Sequence, residues 1–485
     1  MSFKKILISN TYYFSSNLLG IILGAVRGGL IAHFLGPALY GMWSILGVAN
    51  QYANLSHLGF LPGFDREYPY YQGKGDNRYA EDLKNSAFSV TMLLSIVCAV
   101  VLLSISFITP YISNSKELVF GLRFLSIILI LSQAWEFFII YLRNNQNFKL
   151  LSICRGMYAV IFTLFAIPMT YYFAFKGLVV ALLLSFIPGI LFFCLDFLKS
   201  IAINFDKKII AALFLTGWPF FGMQVLGLVS ASLDKLLVFK YLSSEMLGYY
   251  SFALLIIGLS KTISESTVYV LRPLILHKAG LHSNDNMFLK KDFILISSLA
   301  AYFYPIIIVT IFILIGPAIS MIMPRYGLSI EITRILCWGL LPSCVAIFSA
   351  PFIVASNKQK YLFYIGMINV MVMLSFIYLL AYPKMEINNI AVAIAASQYI
   401  NALLLLNTVF RIYHLGIKNI ILTVGKLFLP FLTVMMVITL ISKRMDGLDI
   451  ISQFSYIGAQ FVVAIIVFVP LSITVFKRLM LRKNG

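Results

Sequence analysis

Leu35-Gly36-Pro37-Ala38-Leu39-Tyr40-Gly41-Met42-Trp43-Ser44 is a short break between two long apolar runs. Its shape returns at Leu242-Ser243-Ser244-Glu245-Met246-Leu247-Gly248-Tyr249-Tyr250-Ser251. Leu35 pairs with Leu242, Gly41 with Gly248 and Ser44 with Ser251, all at a constant spacing of 207 residues. A spacing held without gaps points to two halves derived from one unit, and a repeat of this kind governs the whole architecture. A second echo agrees. Asn144-Asn145-Gln146-Asn147-Phe148-Lys149-Leu150 matches Ser356-Asn357-Lys358-Gln359-Lys360-Tyr361-Leu362, and Gly177-Leu178-Val179-Val180-Ala181 matches Asn389-Ile390-Ala391-Val392-Ala393, both at a spacing of 212. Each repeat then covers six helices, roughly 8–200 and 215–411.

Working outward, the composition says what those apolar runs are. With 61% hydrophobic and 11% charged residues in 485, the chain falls far below the charged share of about 25% found in soluble globules. A bilayer core about 30 Å thick needs roughly 20 apolar residues per helical span, and runs of that length recur along the whole chain. The expected fold is an all-α integral membrane protein with fourteen transmembrane helices, in two six-helix repeats plus two C-terminal helices. The spans are expected at 11–35, 41–62, 85–108, 119–142, 153–173, 177–197, 209–239, 247–271, 292–319, 331–355, 360–382, 388–411, 426–441 and 451–476. The corresponding domains are an N-lobe at 1–208, a C-lobe at 209–411, and a last helix pair with its tail at 412–485. Met1-Ser2-Phe3-Lys4-Lys5 has no small-residue cleavage site after its apolar run, so it reads as a cytoplasmic end.

An even number of spans puts both ends on one side, and the basic residues choose that side. With the N-terminus inside, inner segments hold 25 of the 37 basic residues and outer segments hold seven. The net charge of +19 therefore belongs to helix ends facing anionic lipid and calls for no nucleic acid. Five cysteines (Cys98, Cys154, Cys194, Cys337 and Cys344) lie singly in apolar segments without metal-ligand spacing, as small buried hydrophobes do.

Ionisable groups at membrane depth are costly and normally face a bundle interior or a wet cavity. Five basic residues remain as candidates: Arg27, Arg123, Lys235, Lys261 and Arg334. Glu136, Asp234 and Glu265 are their acidic counterparts. On the first span Tyr13, Ser16, Gly20 and Arg27 share a polar, glycine-thinned face; Arg27 either lines a cavity there or snorkels outward. Asp234 and Lys235 occupy the matching place in the second repeat, and neighbours on a helix point about 100° apart, so only one of them can line the cavity squarely. Lys261 and Glu265 are four apart and can pair with each other or face cargo. Asn50, Asn54 and His57 form the matching face of the second span, with Asn54 opposite Lys261. Arg123 and Arg334 lie near helix ends, one residue out of register, as lining residues or interface anchors. Glu136, with Gln133 nearby, is the carboxylate best suited to proton coupling. No G-x-x-x-x-G-K-[ST], H-E-x-x-H or G-x-S-x-G stretch is present and the outer connections are short, so neither ATP hydrolysis nor an enzyme is expected.

Leu35-Gly36-Pro37-Ala38-Leu39-Tyr40-Gly41, Leu58-Gly59-Phe60, Tyr71-Gln72-Gly73-Lys74-Gly75-Asp76, Leu247–Ser251 and Arg272-Pro273 together resemble the Wzx-type polysaccharide flippases of the multidrug/oligosaccharidyl-lipid/polysaccharide exporter superfamily. The resemblance spans the whole chain. It implies a flippase that carries polyprenyl-diphosphate-linked oligosaccharide from the inner to the outer leaflet of the bacterial cytoplasmic membrane by alternating access. It further implies membrane lipids as partners, together with a polysaccharide polymerase and chain-length partners, coupling to an ion gradient and no cofactor. The diphosphate/sugar cavity would be built from Arg27, Arg123, Lys235, Lys261, Arg334, Asn54 and His57, since arginine clamps phosphate oxygens bidentately. Coupling falls to Glu136, Asp234 or Glu265, with the choice left open. In relatives that flip the peptidoglycan precursor the last two helices border a lipid groove, and here those spans carry no charge beyond Lys426 at the start of the first. The rivals are a drug/cation antiporter of the same superfamily, disfavoured by the basic excess, a membrane-embedded polymerase or ligase, disfavoured by the short outer loops, and a membrane scaffold.

Overall fold

The computed structural model describes residues 3–112, 115–281, 286–443 and 450–481. Arg444, Arg482 and Lys483, counted above for orientation, lie outside the described residues. Among those described the chain is almost entirely helical and contains no strand. Hydrocarbon offers backbone groups no partner, so spanning segments must close their hydrogen bonds internally. The helices are α1 (Phe3–Ala53), α2 (Phe60–Gly73), α3 (Asn77–Ile112), α4 (Lys116–Asn144), α5 (Phe148–Gly189), α6 (Leu195–Lys199), α7 (Lys207–Tyr241) and α8 (Ser244–Leu281). They continue with α9 (Asn286–Ile322), α10 (Leu328–Ala346), α11 (Ser349–Ala355), α12 (Lys360–Ala381), α13 (Ile387–Ile412), α14 (Ile417–Lys443) and α15 (Ile450–Leu481). Among the described residues eleven helical stretches are long and apolar enough to cross a membrane; this is a multi-pass membrane protein.

Two of those stretches are broken inside. In α1, Gly36 stands at φ 69° and ψ 172°. Proline disfavours the helical region for the residue before it, and glycine takes positive φ without a Cβ clash, so Gly36-Pro37 turns the chain between the first two apolar runs. In α5 the break falls at Ala174, φ 48° and ψ −131°. The helix starts are capped where short polar side chains precede them. Ser115 Oγ accepts from Leu118 N at 3.2 Å, Asn147 Oδ1 from Leu150 N at 3.3 Å, and Asp206 Oδ1 from Lys208 N at 2.8 Å.

The chain divides into two compact units, Met1–Gly248 and Tyr249–Gly485. In the first, α1 packs on α5, α3 on α4 and α2 on α7; the repeat arithmetic assigns α7 to the second lobe, yet its packing partner is α2. Aromatic side chains fill the core, with Phe64 stacked on Phe137 at 4.6 Å and Phe197 set 4.7 Å from Tyr141 and 5.3 Å from Phe138. The opening motif and its echo meet here: a methyl group on Gly41 would overlap the Ser244 carbonyl, and one on Gly248 the Pro37 carbonyl. The two repeat-related glycines let these backbones touch.

The second unit is built around α13, flanked by α10 and α12, with α9 between α10 and α15. Gly339 lets α10 approach Ala395 of α13, where a Cβ would lie 2.7 Å from the Ala395 Cα. Phe293 meets Phe352 at 5.1 Å and Phe410 at 5.6 Å in its core. Tyr364, Met371 and Tyr378 on α12, and Ile421, Leu429 and Met436 on α14, are exposed, as lipid-facing surfaces require.

Candidate functional site

The second apolar run, expected as one span over 41–62, unwinds before its end. Asn54–His57 form a 3₁₀ turn, Leu58 (φ 44°) and Gly59 (φ 94°) are left-handed, and α2 then runs on to Gly73. The unwinding has local causes. Gly59 permits positive φ, and the bare Cα of Gly217 on α7 lets the Gly59 carbonyl press against it. The backbone groups released are taken up by side chains. Gln133 Nε2 donates to the Asn54 carbonyl at 2.8 Å, and Gly59 N donates to His57 Nδ1 at 3.1 Å. Asn54 is a hub: its Oδ1 accepts from Ser132 Oγ at 3.1 Å, and its Nδ2 donates to the Asn50 carbonyl at 2.8 Å.

Around this unwound turn lies a cavity of about 840 Å³ within the first unit. The turn and α2 form one wall, with Asn54, His57, Asp65 and Arg66. The C-terminal half of α4 forms another, with Gln133, Glu136 and Arg143. Arg155 and Tyr158 of α5 and Gln224 of α7 close the remainder. Glu136, Ile140 and Arg143 recur at four and three residues, so one face of α4 enters the cavity. Arg143 Nη2 lies 2.7 Å from Asp65 Oδ2, both groups partly exposed. Three guanidinium groups thus face two carboxylates. Arg143 and Asp65 are paired, and Arg66, Arg155 and Glu136 complete the charged lining.

Three of the residues singled out in the sequence are gathered here: Asn54, His57 and Glu136. The other seven are elsewhere. Arg27 is half-buried against α5, donating to Thr163 Oγ1 at 3.2 Å with its guanidinium 4.1 Å above the Phe162 ring; Gly20 of its helix lines the cavity, but Arg27 does not. Arg123 is exposed, 5.0 Å from the Phe107 ring. Asp234 is buried and accepts the Lys235 backbone N–H at 2.8 Å, with the Lys235 side chain half-buried. Lys261 and Glu265 are exposed on α8 in the second unit, and no ion pair joins them. Arg334, also in the second unit, lies 5.6 Å from the Phe312 ring. Arg66, Arg143 and Arg155 went unnoticed because, beyond the expected span ends, they read as orientation charges, and Asp65 was not singled out. The signal that could have found Arg143 is its seven-residue spacing from Glu136.

The model of a family described as polysaccharide biosynthesis protein matches residues 30–292. The chain belongs to this polysaccharide biosynthesis protein family. The match runs from the motif at Leu35 through its echo at Leu242 and takes in the cavity lining from Asn50 to Gln224. No curated protein matches the family member described here. Among solved structures it is similar to the lipid II flippase MurJ in an inward closed conformation, with a TM-score of 0.68 and 17% identity over 96% of this chain and 99% of that one. It is also similar to an inward-facing multidrug resistance MATE family transporter of the MOP superfamily, with a TM-score of 0.64 and 14% identity over 81% and 94%. A MOP superfamily transporter from Pyrococcus furiosus, described by the reverse polarity of its binding pocket, matches at a TM-score of 0.55 and 14% identity over 83% and 95%. At these identities the likeness is one of fold. This polysaccharide biosynthesis family member thus has the exporter-superfamily fold that its motifs resemble.

Proposed function

We propose that this protein flips a polyprenyl-diphosphate-linked oligosaccharide from the inner to the outer leaflet of the bacterial cytoplasmic membrane. The observation that carries this reading is the arginine-rich cavity. A diphosphate loses its hydration on leaving the aqueous surface, and planar guanidinium groups replace that hydration with charge-assisted, bidentate hydrogen bonds. Arg66 and Arg155 contact the diphosphate. Arg143 joins when the diphosphate displaces Asp65, and the hydroxyl and amide groups of Tyr158, Asn54 and Gln224 meet sugar hydroxyls. Glu136, the carboxylate of the cavity not paired to Arg143, takes up the coupling ion. Asp234 and Glu265 are the alternative coupling groups, and Arg27, Arg123, Lys235, Lys261 and Arg334 are reserved for other states of the transport cycle.

In the second unit an apolar groove of about 1030 Å³ runs between α8, α9 and α15, lined by Leu271, Leu295, Leu299, Phe303, Phe348 and Ile473. Its almost wholly carbon surface suits a prenyl chain. The breaks at Gly36 and Ala174 and a further apolar helix at Gly458–Thr474 support raising the eleven stretches to fourteen spans in two repeats, with lobes 1–208 and 209–411 and the pair at 412–485. The basic excess of the inner segments then supports cytoplasmic termini. A drug/cation antiporter is the second reading, and a net-positive cavity repels its substrates. The Pyrococcus furiosus transporter, described by reverse pocket polarity and a different function, makes pocket charge the property to weigh.

The test uses cells that lack their own copy. Arg66→Gln with Arg155→Gln is expected to abolish surface polysaccharide while the protein stays in the membrane. Full export by the double variant overturns the diphosphate role of these arginines, and protection against cationic dyes without any effect on surface sugar favours the antiporter.

A further inference from the structure

The second unit has a polar pocket that the flippase reading does not use. It measures about 660 Å³ and lies where the ends of α11 and α13 meet the start of α12, with Ala279 of α8 and Leu289 of α9 also lining it. Asn407 and Arg411, four apart on α13, share one of its walls with His414, and Asn357, Lys358 and Tyr361 face them. Lys358, Arg411 and His414 line it, and among the described residues no carboxylate does.

Basic residues at helix C-termini ordinarily serve the terminal carbonyls. Here those carbonyls are already served by backbone. After α11, Lys358 N donates to Ile353 O at 3.0 Å and Asn357 N to Val354 O at 2.9 Å. After α13, Leu415 N donates to Phe410 O at 2.9 Å and His414 N to Arg411 O at 3.1 Å. Both ends close by the same paired-bond cap, with Asn357 (φ 54°) and His414 (φ 53°) in the left-handed region. Ser356 Oγ and Tyr413 OH, 3.3 Å apart, tie the two turns together. None of the four ion pairs among the described residues involves Lys358, Arg411 or His414. The backbone is satisfied and braced, and among the described residues no ion pair engages the Lys358 and Arg411 side chains.

We propose that this pocket binds a phosphate-bearing anion, the head group of an acidic phospholipid of the adjoining leaflet. Arg411 supplies the planar fork, Lys358 the point charge, and Asn407 and Tyr361 hydrogen bonds to the remaining oxygens. Basic pockets between transmembrane helices at a membrane surface recognise acidic head groups in this way. The proposal needs neither the cargo nor the orientation argued above.

The test is native mass spectrometry of the full-length protein in detergent, titrated with phosphatidylglycerol and, separately, with phosphatidylcholine. One tightly held phosphatidylglycerol is expected, with phosphatidylcholine held at least tenfold more weakly. A basic group near an anionic surface contributes about a factor of five, so Lys358→Gln with Arg411→Gln is expected to weaken the tight site about thirtyfold. Lys358→Arg with Arg411→Lys, which keeps the charge, is expected to retain most of the affinity and controls for folding. Undiminished phosphatidylglycerol binding by the glutamine pair, or equal binding of the two lipids by the parent protein, overturns the proposal. Competition with inorganic phosphate separates the sources: lipid that stays bound assigns the site to the head group, and displacement assigns it to the free anion and overturns the lipid assignment.

Discussion

Glu136 is the one exposed position between Ser132 and Ile140 on α4, so its side chain is aimed into the cavity by helix geometry alone. If it takes up the coupling ion, Glu136→Gln will lower gradient-driven flipping at least tenfold in proteoliposomes and leave counterflow without a gradient close to the parent rate. Arg155 is expected to depend on shape as well as charge. Hydrogen bonds to charged groups contribute about 1.5–3 kcal/mol, so Arg155→Gln should weaken binding of a polyprenyl diphosphate about tenfold to a hundredfold in a fluorescence titration. Arg155→Lys should recover only part of this, because an ammonium cannot bind bidentately. The Arg143–Asp65 pair is partly exposed, and a pair of that kind contributes about 0.2–1 kcal/mol. It is weak enough for a diphosphate to open. Arg66, Arg143 and Arg155 were visible in the sequence only as topology-setting charges, since adjacency across α2, α4 and α5 is not written along the chain.

At the scale of elements, the unwound turn at 54–59 depends on two supports from other helices. Gln133 is buried and donates to the carbonyl that unwinding releases. Gln133→Leu should therefore cost about 1–3 kcal/mol, the usual penalty for a stranded buried acceptor, read as a lowered Tm of the detergent-solubilised protein. Gly217 is the other support, because a Cβ there would run into the Gly59 carbonyl. Gly217→Ala should cost about 1–3 kcal/mol, as overpacking does, and should also move the turn, seen as altered labelling of a cysteine introduced at Leu55. Gly59 stood out in the sequence as part of a motif. The unwinding it permits did not, because 41–62 reads as uninterrupted apolar helix and the partners that make a break tolerable lie on α4 and α7.

For the whole molecule, the proposed fourteen spans with both ends inside make a labelling prediction. Cysteines introduced at Gly75, Gln146 and Asn357 should react with a membrane-impermeant maleimide only after cells are opened, and those at Lys176 and Lys240 should react in intact cells. A reversal partway along the chain would remove a span from the count. The all-helical, multi-pass fold was legible beforehand, for definite physical reasons. Apolar run lengths are set by bilayer thickness, and the breaks at Gly36-Pro37 and near Ala174 by local chemistry and loop length, all of which act on neighbours in sequence. The gapless spacing of Gly41 and Gly248 likewise carried the two-repeat reading, and the structure brings those glycines into backbone contact. Which charges share a cavity was decided only by the tertiary structure. Arg27, Arg123 and Arg334 each meet an aromatic ring on an adjacent helix, while Asp65, Arg66, Arg143 and Arg155 converge from three helices. That convergence follows from how α2, α4 and α5 pack, a long-range outcome that helical periodicity does not encode.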